Sequence, residues 1–129
     1  MSNKRLHTHF LAATVLWATL LVGAPAASAA SEVPPQLAGK WTIPWQGGTE
    51  YLFLADSRYM FFFNEPRKPP ATGNLAVTGN TITFYSSNYC SGTGTYLWSL
   101  SDSGLAFVPL TSDPCSRAAI LPSGTWTRP

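Results

Sequence analysis

Turn-forming residues recur about every eleven residues along this chain, and the segments between them are too short for anything but strands. Gln46-Gly47-Gly48, Asp56-Ser57, Gly79-Asn80 and Ser101-Asp102-Ser103-Gly104 supply residues suited to tight hairpin connections. Beyond Ala38 no window sustains apolar spacing at a helical period. Short runs rich in Thr, Tyr, Phe, Trp, Ile and Leu take its place. The pattern predicts eight strands: Lys40–Trp45, Glu50–Ala55, Arg58–Asn64, Thr72–Thr78, Thr81–Ser86, Gly94–Ser101, Leu105–Leu110 and Ala119–Arg128. Joined by short turns, they form an antiparallel up-and-down meander, and eight such strands can close into a barrel that has no edges.

Alternation along the strands sets the interior. Leu75, Val77, Ile82, Phe84, Tyr96, Trp98, Leu100, Leu105 and Phe107 share the inward face. The second and third strands, with Tyr51-Leu52-Phe53-Leu54 and Tyr59-Met60-Phe61-Phe62-Phe63, are apolar on both faces. Their outer face needs cover from the Glu65–Pro70 loop or from the residues before the first strand; uncovered, it becomes a partner surface.

The first 29 residues follow the order of a signal peptide. Lys4 and Arg5 precede an uncharged apolar run from Phe10 to Val22, and Ala27-Ser28-Ala29 offers a small-residue cleavage site. Cleavage is expected after Ala29, giving a secreted or periplasmic protein with no membrane attachment after processing. The sequence then divides into an extended N-terminal arm, 30–38, with Pro34-Pro35 at its centre, and a domain spanning 39–129.

From Ala30 onward six basic residues face six acidic ones, so the net charge of +2 comes from the leader alone. A neutral domain lacks the basic footprint of nucleic-acid binding. Both histidines, His7 and His9, also lie in the leader. Serine–histidine and cysteine–histidine nucleophilic chemistry and the common histidine metal sites therefore have no residues to use, and no metal or cofactor is expected. Scattered carboxylates offer no pair for acid–base catalysis, and Glu50 reads as a solvated strand end. Cys90 and Cys115, the only cysteines, read as a disulfide in an exported domain. Closing a loop of about 26 residues contributes roughly 3.5 kcal/mol in the chain-entropy model.

Gly39-Lys40-Trp41 opens the first strand, and Gly124-Thr125-Trp126-Thr127-Arg128 ends the chain. A Gly-x-Trp at this place in a small exported meander resembles the signature of the lipocalins and the wider calycin group. The stretch from Cys90 to Arg117 is similar to small lipocalin-like domains of exported bacterial proteins. The resemblance implies an eight-stranded barrel in which Gly39, Trp41 and Arg128 close one end, with the guanidinium stacked on the indole. The alternative architecture is a β-sandwich, suggested by Cys90…Trp98…Cys115, although 25 residues leave room for only a hairpin between the cysteines.

The function expected of such a barrel is non-catalytic binding of a small apolar ligand, with Trp45, Tyr51, Tyr59, Tyr96 and Trp98 as the aromatic lining. A protein-interaction module is the alternative, for instance a protease inhibitor using the N-terminal arm on a secreted partner. A small-barrel cyclase, which needs no histidine, is a third reading.

Overall fold

The computed structural model of the protein describes residues 32–62 and 69–129. The expected leader and its cleavage site, the end of the third strand and most of the Glu65–Pro70 loop lie outside the described residues. Seven strands form one antiparallel sheet in chain order: β1 (Gly39–Trp45), β2 (Gly48–Ala55), β3 (Arg58–Phe62), β4 (Ala71–Thr78), β5 (Thr81–Tyr85), β6 (Gly94–Ser101) and β7 (Gly104–Pro109). The sheet is a single meander curled into a half-barrel, rather than two facing sheets. Four of its hairpins turn over two residues, and Gln46 and Asp56 adopt the positive φ that such turns need.

The expected eighth strand, Ala119–Arg128, is not a strand. Its residues form part of a one-turn helix α1 (Arg117–Ile120), then a 3-10 turn (Leu121–Ser123), and finally an extended tail. Ala118 and Ala119 favour helix, and Pro122 has no N–H to give a ladder. The tail still spans the gap between the outermost strands. Thr127 exchanges backbone hydrogen bonds with Thr42 of β1 (2.8 and 2.9 Å), and Trp126 exchanges them with Leu105 of β7 (both 2.8 Å). Two bridges thus stand where a full strand was expected.

Burial follows alternation over most of the sheet. Leu75, Val77, Ile82, Phe84, Tyr96, Leu105 and Phe107 are buried as expected. Leu100 is exposed and Trp98 only half-buried, because both lie in the part of β6 that runs past its pairing with β5, where the Trp98 N–H donates to Asn80 O of the β4–β5 turn. Tyr59, Phe61, Phe84, Tyr96, Phe107 and Trp126 fill the interior, with ring centroids 5.0–6.3 Å apart and mostly edge to face.

The described residues before β1, 32–38, pack onto the core rather than standing off it as an extended arm. Val33 and Leu37 are buried in the core, the Val33 N–H donates to Asp56 O, and a turn on Pro34 O receives the amides of Leu37 and Ala38. Burying two aliphatic side chains offsets the entropy of ordering the segment. Arg128 locks this end. Its Cζ sits 3.8 Å from the centroid of the Trp41 ring, and its two terminal nitrogens donate to Ala38 O (2.7 Å) and Gln36 O (3.0 Å). Trp41 donates its indole N–H to Leu37 O. Gly39 is required here, since its φ is +105° and a Cβ would meet Arg128 Nη1 at 2.9 Å. Arg128→Ala should lower stability by about 1–2 kcal/mol in chemical denaturation through lost stacking and packing. An unchanged midpoint would show that the lead-in holds without it.

Candidate functional site

The end of the half-barrel opposite the lead-in carries the long β5–β6 connection, the disulfide and α1. The Cys90–Cys115 bond joins that connection to the segment before α1, with Cα atoms 5.9 Å apart. Behind it lies a buried polar network. Asp113 and Arg117, four residues apart, form an ion pair of 2.7 Å, with side chains 1% and 4% exposed. Such a pair is retained only where every charge-bearing atom is served. Asp113 Oδ2 accepts from Arg117 Nε and from the Tyr96 hydroxyl (2.6 Å), while Oδ1 accepts from the Cys115 amide (3.0 Å). Arg117 Nη2 donates to Phe84 O (3.2 Å) and Gly92 O (2.5 Å), and Nη1 donates to the Tyr59 hydroxyl (3.2 Å). One guanidinium therefore ties together β3, β5, the β5–β6 connection and the segment leading into α1. The aspartate reaches β6 because Gly94 has no side chain; a Cβ there would occupy the Asp113 carboxylate.

In front of this network is a partly enclosed recess of about 100 Å³. Its apolar wall comprises Phe61, Ala71, Ile120 and the disulfide, and its polar wall comprises Tyr59, Arg117, Ser87 and Ser116. Asp113 does not line it, nor does any other described carboxylate. Among the described residues, two hydrogen-bond donors of the polar wall are unspent. A guanidinium has five N–H groups and Arg117 uses four, leaving one on Nη1; the Tyr59 hydroxyl accepts from Arg117, but among the described residues nothing accepts its proton.

The five aromatic residues expected to line a ligand do not converge. Tyr59 is at the recess. Tyr96 lies behind it, fully buried and committed to Asp113. Tyr51 is on the outer face of β2, where Lys40 Nζ sits 4.4 Å from its ring centroid. Trp45 packs against the edge of the core at the end of β1. Trp98 lies on β6 at the other end of the half-barrel, where it forms a wide-open cleft of about 370 Å³ with Pro34, Gln36 and Asn80. Glu50 is 7% exposed rather than solvated, because it shares the inward face of β2 with Leu52 and Leu54. Outside the half-barrel, Tyr51 pairs with Phe62 and Phe53 with Met60, and the two phenylalanines remain 40% exposed. The lead-in caps the barrel end and leaves this face uncovered.

Asp113 and Arg117 are not among the site residues expected from the sequence. Their signal was the four-residue spacing of opposite charges around a disulfide cysteine, in a domain with few charges. No cluster of three or more metal-ligating side chains occurs among the described residues. Comparison with protein-family models, curated proteins and solved structures found no match to the chain.

Burial, reinforced by the Asp113 carboxylate, pushes the Tyr96 hydroxyl well above the ordinary tyrosine value of 10.0. The folded state thus holds this proton more tightly than the unfolded chain. The stabilisation is complete below pH 10 and is lost as pH rises beyond it. Denaturation midpoints across alkaline pH should fall more steeply for the wild type than for Tyr96→Phe; parallel curves would show that Tyr96 titrates normally.

Proposed function

We propose that the chain is an exported, non-catalytic binding protein of lipocalin-like build that takes a small ligand at its mouth rather than deep in its interior. The observation that carries this reading is the recess beside Tyr59 and Arg117. It sets an apolar wall against a few convergent polar groups, as small-molecule sites do. Its size suits a ligand of a few heavy atoms, well below the roughly 300 Å³ at which drug-sized sites begin. Behind it, the interior is taken up by the packed rings.

The closure of the other end by Gly39, Trp41 and Arg128 supports the lipocalin-like part of the proposal. The non-catalytic part rests on the side chains nearest the recess. Both cysteines are bonded to each other, and the Asp113 carboxylate is committed to three donors. The exposed rings of Phe53 and Phe62 form an apolar surface without a convergent polar group, and the reading does not depend on them.

The test is an NMR titration of the disulfide-bonded protein with isobutyrate, isobutyramide and isobutylamine. At least one probe should give saturable shifts at Ala71, Cys115 and Ile120. Shifts at none of these residues, or shifts confined to Trp98, would overturn the mouth as the binding site.

A further inference from the structure

We infer that the recess is a site for a short-chain carboxylate, an assignment that rests on the mouth being the binding site and adds the chemistry that selects the ligand. Three features of the wall lead there. The first is the orientation of the ion pair: Asp113 directs both oxygens at Tyr96, Arg117 Nε and the Cys115 amide, and it does not line the recess. A ligand there meets the cation of the pair and not its anion.

The second is the pair of unspent donors. The remaining Nη1–H of Arg117 and the Tyr59 hydroxyl proton belong to neighbouring groups already 3.2 Å apart. Two adjacent donors, one of them charged, match the two oxygens of a carboxylate or a single shared oxygen of an amide. An ammonium head would bring donors to donors and a cation to a cation. Burial sharpens this discrimination, since Tyr59 and Arg117 are 3% and 4% exposed and their electrostatics are weakly screened.

The third is the apolar wall. Phe61, Ala71, Ile120 and the disulfide sit across from the donors, so a branched alkyl body of a few carbons would leave water while the head keeps its hydrogen bonds. The same head group is carried by a free acid and by the C-terminus of a peptide, and the recess volume favours the free acid.

Ranked affinities in the titration decide the matter, with N-acetyl-alanyl-valine added as the peptide form. On the wild-type protein, isobutyrate should bind more tightly than isobutyramide, and at least about tenfold more tightly than isobutylammonium. Tyr59→Phe, which removes the hydroxyl and keeps the ring, should weaken isobutyrate about tenfold and narrow the preference over isobutylammonium. Either carboxylate source satisfies the assignment, and the tighter of the two identifies the natural form. Mouth-residue shifts with equal affinities for all heads, or with isobutylammonium tightest, would overturn the carboxylate while leaving a binding mouth. Saturation by no probe would remove both.

Discussion

A guanidinium buried to 4% exposure organises this molecule more than any other single group. Arg117 is 4% exposed and meets open space only at the recess, and desolvating a charge is costly unless it is paired and hydrogen-bonded. The chain meets that demand with a carboxylate four residues away, two backbone oxygens and a phenol. Each partner comes from a different part of the fold, so the charge can be satisfied only when β3, β5, the β5–β6 connection and the segment before α1 are in place together. The disulfide and the bare backbone at Gly94 bring the last of these close enough.

The two ends of the half-barrel are closed by arginines under different physics. Arg128 lies at the surface over an indole, with its charge in water and its hydrogen bonds to the lead-in carbonyls. Its contribution is packing and stacking. Arg117 is within the wall, where a hydrogen bond left unmade is expensive. One arginine can therefore seal an end, while the other can seal an end and still present unspent donors to a recess. The aromatic cluster fills the space between them.

How much of this was legible in the sequence depends on the range of each interaction. The seven strands, their order and the hairpin turns were readable, because alternation and turn chemistry are local. The disulfide was readable because only one pairing exists. The C-terminal segment was misread as a strand: Trp126 and Thr127 do bridge β7 and β1, yet Pro122 and the alanines before it set a different local preference. Leu100 and Glu50 were misplaced because alternation identifies a face and not how far along it the core extends. The site was the least legible. Arg117 meets Tyr59 across 58 residues and Phe84 O across 33, and no local pattern encodes such a meeting. Rings such as Tyr51, Trp45 and Trp98 looked equivalent to Tyr59 in sequence, although the curl of the sheet sends them to separate surfaces.

The dependence of the fold on the buried guanidinium is open to direct measurement by equilibrium urea denaturation of Arg117→Met, which keeps most of the side-chain bulk and removes the charge. The variant leaves the Asp113 carboxylate buried without its cation, and such a loss costs about 3–5 kcal/mol. The account predicts a loss of that size, sufficient to unfold much of the population if total stability is near the lower end of the usual range of about 5–15 kcal/mol. A loss within about 0.5 kcal/mol, typical of a surface substitution, would contradict it and reduce Arg117 to a peripheral residue.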